Sequence, residues 1–257
     1  MRVRTLERPR FSATGKTRWR HPNEAVHNRI AYRVMENMLT YAASGYARGR
    51  LVDIGCGSKP WKGLFSEYVD EHVGVDLVPS ERDPTAVDII AGAYEIPLAD
   101  GSADTILITS VLEHVEEPQR AIDETFRLLR PGGHLLISAP FFWHVHEEPR
   151  DFYRFSPYAM RHLLEHAGYE VLELHPLAGA WTTLSIEFSY ALRRYRRGVA
   201  RPVVDGVTML AQWIAGRWDR VDFQPGFSWS HLAIARKPEV EREPADSRTP
   251  AATSSGT

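Results

Sequence analysis

The sequence has a single cysteine and no hydrophobic run long enough to cross a membrane. Cys56 has no partner for an internal disulfide, which favours a reducing compartment. No apolar segment reaches the roughly 18 residues that a membrane-spanning helix needs. The net charge of −2 is too small to attract nucleic acid over the whole surface. We therefore expect a cytoplasmic protein without a membrane span and without a general attraction to nucleic acid.

The charge is nevertheless unevenly distributed. Residues 1–20 hold seven arginines and lysines against one acidic residue, and a second basic run covers 193–201. The first segment predicts a mobile basic arm, and the composition of 238–257 predicts a disordered tail. Residues 21–237 are then expected to form one domain. We interpret both basic runs as solvated surface, with an acidic substrate, a membrane surface or a partner as the alternative.

Apolar strands alternate with helical segments through the central part of the chain. Helical periodicity covers 23–44, 118–130 and 156–168. Strands that are apolar on both faces and alternate with helices form mostly parallel sheets covered on both sides. The predicted strands are 51–54, 72–76, 87–90, 104–110, 134–140, 171–177 and 229–237.

An insertion separates the last two predicted strands. Residues 178–226 contain two helical segments, 181–197 and 203–218, both with aromatic side chains. Many domains of this kind place only a short connection there. The insertion is interpreted either as a lid over the substrate or as an oligomer interface, such as that of a homodimer.

A pair of glycines follows the first predicted strand. Gly55 and Gly57 let the backbone turn tightly and approach a ligand at the carboxyl edge of the sheet. No third glycine completes the GxGxxG spacing, which argues against a pyrophosphate site. Asp76 ends the second strand about 20 residues later, where a carboxylate can accept both hydroxyl hydrogens of a ribose. The carboxylate of Asp53 could hold the glycine loop or a ligand's amino group.

These motifs resemble the class I methyltransferases that use S-adenosyl-L-methionine (SAM), in particular the type 11 group. LVDIGCG, VGVDL, EIPLADGSADTILITSVLEHV and LRPGGHLLISAP match ordered landmarks of that family. The resemblance implies SAM as cofactor and a Rossmann-like, doubly wound α/β fold. Its sheet is expected to have seven mostly parallel strands, with an antiparallel last strand. The SAM-binding residues that it implies are Asp53, Gly55, Cys56, Gly57, Asp76, Leu77, Ala93, Tyr94 and Ser110.

The resemblance also assigns roles within this set. Asp76 would bind the ribose, Leu77 would pack on the adenine, and Ser110 would lie beneath the methionine moiety. Gly92 stands where the family often has an aspartate for the adenine amino group. Adenine recognition then depends on main-chain groups near Ala93 and Tyr94, or on Asp88.

The acceptor is expected to bind beside the segment after the fifth strand. That segment combines aromatic, basic, acidic and histidine side chains, as a pocket for a small polar molecule does. The candidate substrate-binding residues are Phe142, Trp143, Asp151, Tyr153 and Arg154. For Asp151 and Arg154, a structural ion pair that locks the loop is an equal alternative.

Histidines are the candidate general bases, because imidazole can take a proton near neutral pH. His144 and His146 follow the fifth strand directly. His114 is the next candidate, although a wall or packing role is favoured for it. The spacing of His144 and His146 suits a metal site, but no other ligand cluster in the sequence supports one, and no metal is predicted.

We therefore predict a SAM-dependent methyltransferase that methylates a hydroxyl on a small secondary metabolite or a sugar. N-methylation of a small amine is the main alternative. A nucleic-acid modifier is disfavoured, because no N/D-P-P-Y/F tetrapeptide follows the fourth strand. A SAM-binding protein without catalytic activity is the remaining alternative.

Overall fold

A twisted eight-stranded sheet forms the centre of the computed structural model, which describes residues 4–5, 25–78, 83 and 85–239. The order of the strands is β1-β7-β8-β6-β5-β2-β3-β4. β8 runs antiparallel to both of its neighbours, and all other pairs are parallel. The strands are β1 (Arg4–Thr5), β2 (Arg50–Ile54), β3 (Glu71–Asp76), β4 (Ile89–Ile90), β5 (Ala103–Thr109), β6 (Leu129–Pro140), β7 (Glu170–Pro176) and β8 (Ser230–Arg236).

The Rossmann-like prediction is confirmed, since all seven predicted strands form with the last one antiparallel. The difference is β1, which pairs with β7 and adds an eighth strand. It lies in the segment predicted as a mobile arm, and two residues are too few to show a periodic pattern. The rest of that arm lies outside the described residues, as does the predicted tail after residue 239.

Helices cover both faces of the sheet. Alternate residues of each central strand point to opposite faces, so Val52 and Ile54 join one core cluster while Leu51 joins the other. Among the described residues, no helix combines the length and apolar character that crossing a bilayer requires. The helices are α1 (Arg29–Tyr46), α2 (Lys62–Phe65), α3 (Pro118–Leu128), α4 (Pro157–His166), α5 (Ala180–Leu192) and α6 (Arg201–Val221).

The insertion between β7 and β8 forms α5 and α6, which pack against each other. The buried carboxylate of Asp219 on α6 accepts hydrogen bonds from the backbone N–H groups of Gly179, Trp181 and Thr182, each at 3.1 Å. It therefore caps the N-terminus of α5, where backbone donors lack helical partners. Gln212 of α6 donates to the carbonyl oxygens of Val26 and His27. The insertion is thus fixed to the turn that precedes α1.

Candidate active site

A cleft of about 1440 Å³ opens at the carboxyl ends of the central strands. This is the edge at which open α/β sheets bind their ligands. Asp53 of β2, Thr109 of β5 and Pro140 of β6 line the cleft, together with Met35 of α1 and Glu187 of α5. Its volume exceeds the 300–1,000 Å³ that is usual for one drug-sized ligand. The cleft can therefore hold a nucleoside-sized cofactor together with a second molecule.

The glycine loop after β2 forms the floor of this cleft. Gly55 has a φ of +69°, and a Cβ placed on it would lie 2.2 Å from Cγ2 of Val111. Only glycine fits there without displacing a neighbour. The backbone N–H groups of Gly55 and Cys56 both donate to the carbonyl oxygen of Val75. The loop is thereby bound to the end of β3.

Asp76 joins the glycine loop to the same strand end. Its Oδ2 accepts the N–H of Gly57 at 2.8 Å, and its Oδ1 accepts the N–H of Leu77 at 2.7 Å. An ionised carboxylate has about four acceptor positions, so two remain for a ligand. The arrangement fits the ribose-binding role, because the same group that holds the loop has free acceptor positions at the carboxyl edge.

Asp53 is buried directly beneath the loop. Its Oδ2 lies 3.0 Å from Nε2 of His72, and burial raises the pKa of the carboxyl, with the His72 hydrogen bond opposing the shift. Burial also raises the pKa of the Cys56 thiol to about 12. The thiol is therefore protonated at neutral pH, and Cys56 contributes its backbone and volume to the cleft rather than a thiolate.

Asp88, the alternative for adenine recognition, is already engaged behind the loop. Its Oδ2 accepts a hydrogen bond from Nζ of Lys59 at 2.5 Å and from the N–H of Gly74 at 2.7 Å. Lys59 is itself buried and also donates to the carbonyl oxygen of His72. This ion pair supports the glycine loop from below.

The other predicted adenine residues, Leu77, Ala93 and Tyr94, do not line the cleft. Leu77 is half exposed at the end of β3 and lies beside Gly92. Ala93 and Tyr94 pack against the core, and the Tyr94 hydroxyl accepts the N–H of Glu117. Leu77 thus offers an apolar surface to a ring, whereas Ala93 and Tyr94 are held by protein contacts.

Ser110 lines the cleft at the end of β5 with a φ of +54°. Non-glycine residues adopt this left-handed conformation at a cost, and they cluster at functional sites. The N–H of Ser110 donates to the carbonyl oxygen of Ser138 at 3.1 Å, which fixes the turn. Its place beneath the methionine moiety stays a prediction.

The loop after β6 is locked by an ion pair. Nη1 and Nη2 of Arg154 lie 2.6 and 2.7 Å from the two carboxylate oxygens of Asp151. Arg154 also donates to the carbonyl oxygens of Trp143 and His144, and Asp151 accepts the N–H of His146. The guanidinium holds the pKa of the Asp151 carboxyl well below its usual range. This is the structural alternative of the sequence analysis, since neither residue lines the cleft.

Two more of the predicted substrate residues point away from the cleft. Phe142 is half exposed and packs against Phe141 and Phe227. The hydroxyl of Tyr153 donates to the carbonyl oxygen of Glu116. Trp143 alone among the five predicted substrate residues lines the cleft.

His144 forms a histidine–carboxylate pair on the acceptor side. Its Nδ1 lies 3.1 Å from Oε2 of Glu187, and its ring stacks on Trp143 and contacts Tyr190. Glu187 and Tyr190 belong to α5, so the insertion supplies part of the cleft wall. The sequence analysis missed both residues, because nothing in the sequence links α5 to the loop after β6.

A second group of titratable side chains lies deeper in the same wall. Nε2 of His114 and Nε2 of His146 lie 3.8 and 3.9 Å from Oε1 of Glu113. Burial raises the pKa of the Glu113 carboxyl to about 8. Burial also lowers the pKa of His146, with the Asp151 carboxylate opposing that shift. Glu113 belongs to the LEHV part of the motif at 95–115, but it was not predicted as a site residue.

Comparison with known proteins agrees with this geometry. Residues 52–137 match the family model described as a methyltransferase domain. An uncharacterised methyltransferase of Mycobacteroides abscessus is 35% identical over 109 residues, 37% of this chain and 42% of that protein. A probable S-adenosylmethionine-dependent methyltransferase of Mycolicibacterium smegmatis is 31% identical over 130 residues, 48% of this chain and 45% of that protein. Both matches thus span less than half the length of the relative.

Solved structures share the fold over most of the chain. The [4+2]-cyclase SpnF has a TM-score of 0.53 at 21% identity, with 79% of this chain and 81% of that chain covered. Phosphoethanolamine N-methyltransferase 2 of Haemonchus contortus, in complex with S-adenosyl-L-methionine, has a TM-score of 0.52 at 18% identity. The match covers 80% of this chain and 53% of that one. At these identities the likeness concerns the fold alone.

Proposed function

We propose that this chain, whose residues 52–137 match a methyltransferase domain, is a SAM-dependent methyltransferase that transfers the methyl group of SAM to a hydroxyl of a small molecule. The observation that carries the proposal is the pair of His144 and Glu187, which faces the cleft formed by the glycine loop. A secondary metabolite or a sugar is the acceptor class that we propose, and the cytoplasm is the compartment.

The donor half of the cleft fits SAM. Gly55, Gly57 and Ser110 line the cleft and suit the methionine part of SAM. Asp76 and Leu77, at the end of β3 next to the glycine loop, offer acceptor positions to the ribose and an apolar surface to the adenine. SAM supplies a methyl group that the positive sulfonium has already activated. The chain's own task is to align the acceptor with the S–CH₃ bond and to exclude water.

The proposed base is His144, positioned by Glu187. If Nδ1 carries the hydrogen and donates it to the Glu187 carboxylate, Nε2 keeps a lone pair for the acceptor. The acceptor oxygen then forms its bond to the methyl carbon while the S–CH₃ bond breaks. The electron pair of that bond stays on sulfur, and the hydroxyl proton moves to Nε2 of His144. A positioned base of this type contributes about 10²–10⁴-fold to the rate.

The aromatic walls favour a small acceptor and also support the alternative of N-methylation. Trp143, Tyr190 and Trp229 form connected ring contacts around His144. Such faces can attract the cation of an amine acceptor. An amine loses its proton without a dedicated base, so the two alternatives differ in their dependence on His144.

The experiment begins by identifying the acceptor, with extracts and defined hydroxyl and amine compounds tested for label taken from methyl-labelled SAM. On that acceptor, His144→Ala should lower kcat by about 10²–10⁴-fold while the Kd for SAM stays the same. Glu187→Gln should give a smaller loss of the same kind. The matched control is His162→Ala on the exposed face of α4.

Three results would contradict the proposal. Near-normal turnover of His144→Ala on a hydroxyl acceptor would remove the assigned base. Label that appears only on amines would support N-methylation instead. SAM binding without turnover of any compound would favour a SAM-binding protein without catalytic activity.

A further inference from the structure

We propose that Glu113, His114 and His146 bind a divalent transition-metal ion, such as zinc, on the acceptor side of the cleft. One ligand atom from each of the three side chains can be chosen so that all lie within 4.8 Å of one another. No metal was predicted from the sequence, because no other ligand cluster there supports the histidine pair after β6; Glu113 and His114 precede His146 by more than 30 residues. The fold brings them together across the loop after β6.

The distances between the three ligand atoms approach those of a metal site. Nε2 of His114 lies 3.8 Å and Nε2 of His146 lies 3.9 Å from Oε1 of Glu113. Metal–ligand bonds of about 2.0–2.2 Å at tetrahedral angles would place ligand atoms about 3.4 Å apart. A contraction of about 0.5 Å would bring each Nε2 to that distance from Oε1 of Glu113, and the three ligand atoms as a set lie within 4.8 Å of one another. These same distances are too long for direct hydrogen bonds.

The carboxyl group of Glu113 is buried without a hydrogen-bond partner. The side chain is 1% exposed, and neither carboxylate oxygen has a hydrogen-bond partner among the described residues. An ionised carboxylate buried without a partner is strongly unfavourable, so such a group is normally protonated, paired with a cation or bound to a metal. The backbone of Glu113 is held in place, because its carbonyl oxygen accepts the N–H groups of Phe152 and Tyr153. A cation would satisfy the side chain where it lies.

Both imidazoles are oriented with Nε2 toward the proposed ion. Nδ1 of His114 lies 2.5 Å from the carbonyl oxygen of Arg150, which can only accept, so the hydrogen is on Nδ1 and Nε2 keeps its lone pair. Nδ1 of His146 lies 3.3 Å from Oδ2 of Asp151 without forming a hydrogen bond to it. Metal-bound histidines usually direct the other ring nitrogen to a carbonyl or a carboxylate, as His114 does here. The loop locked by Asp151 and Arg154 therefore serves as the support of the site.

Two histidines and a glutamate form a donor set that binds zinc and related divalent ions and leaves coordination positions free. Those positions face the cleft, because all three residues line it. The inferred use rests on the proposed function: a Lewis acid there would polarise the acceptor hydroxyl and lower its pKa, easing proton transfer to His144. The ring of His144 lies 6.4 Å from that of His146, which suits one acceptor between them.

The test measures binding of zinc(II), and then cobalt(II), to chelator-treated full-length protein by calorimetry and by the visible absorption of the cobalt form. His162 and His166 form an exposed pair on α4 that can bind zinc by itself, so His162→Ala/His166→Ala is the control background. On that background, one equivalent should still bind. His146→Ala and Glu113→Gln should each weaken binding by more than the 10- to 100-fold that loss of an outer hydrogen-bond partner costs.

Circular dichroism checks that each variant is folded. If His146→Ala does not fold, the more conservative Glu113→Gln still tests the site. No binding on the control background, or binding that survives both substitutions, overturns the site. Methyl transfer separates this failure from that of the proposed function. Full turnover of the metal-free protein would refute the inferred catalytic use of the ion and leave the methyltransferase proposal intact. Loss of turnover on chelation, restored by zinc, would support both.

Discussion

Replacing Asp76 by alanine should weaken SAM binding far more than it weakens the fold. The substitution removes two acceptor positions for the ribose and the bond to Gly57 that shapes the loop. Hydrogen bonds to a charged group contribute about 1.5–3 kcal/mol each when they are well formed. We take about 2–3 kcal/mol for the bidentate ribose contact, which corresponds to about 30- to 150-fold in Kd. The Kd of Asp76→Asn for SAM should lie between those of the unsubstituted protein and Asp76→Ala, because one side-chain oxygen remains to accept the N–H of Gly57.

The assay is calorimetric titration with SAM and with S-adenosylhomocysteine, together with urea unfolding of each variant. Both ligands should lose affinity to the same extent, because the donor contacts do not involve the methyl group. The control is Asp70→Ala, which removes an exposed aspartate just before the opposite end of β3. An unchanged Kd in folded Asp76→Ala protein would refute the assignment of the ribose site. An equal loss in Asp70→Ala would show that the effect is one of general charge.

Three further predictions concern the framework around the cleft. In urea titrations, Gly55→Ala should lower the free energy of unfolding by more than Gly57→Ala. Both positions need a left-handed backbone, which costs alanine about 1–2 kcal/mol. Only the methyl group added at position 55 would collide with Val111. His231 is buried, which lowers its pKa to about 4. Between about pH 6.5 and 4 the unfolded state binds a proton that the folded state does not, so the free energy of unfolding should fall by about 3 kcal/mol over that range. In His231→Leu this pH-dependent loss should be smaller by about 3 kcal/mol. Asp219→Ala should lower the midpoint of thermal unfolding and reduce turnover, while the Kd for SAM stays the same. A pH profile unchanged in His231→Leu, equal effects of the two glycine variants, or full activity of Asp219→Ala would each contradict the reasoning.

The fold was largely predictable because its signals are local. Runs such as 104–110 and 134–140 are apolar on both faces, and the helices between them repeat every three or four residues, which is a pattern that survives any tertiary arrangement. The donor site was predictable for a related reason. Gly55, Gly57 and Asp76 follow strand ends, and parallel strands bring their carboxyl ends to one edge. β1 was not predictable, because its two residues take their conformation from β7 alone.

The acceptor wall could be predicted only in part, since it depends on contacts between distant segments. His144 and His146 were recognisable from their place after the fifth strand, but the partner of His144 comes from α5. Arg154 and Asp151 have the chemistry of ligand-binding residues, and only the packing shows that they satisfy each other. Glu113 gave no sequence signal of burial, because its turn has no periodic pattern.

The position of β8 between β6 and β7 sets an order in which the domain can be completed during synthesis. β7 reaches the rest of the sheet only through β8, whose last residue is 236. β6 ends at residue 140, so 96 further residues (236 − 140) must be made before its free edge is paired. At about 5–20 residues per second this exposes an apolar strand edge on the ribosome for about 5–20 s. Chaperone demand and sensitivity to slow codons should therefore concentrate between the codons for these two strands.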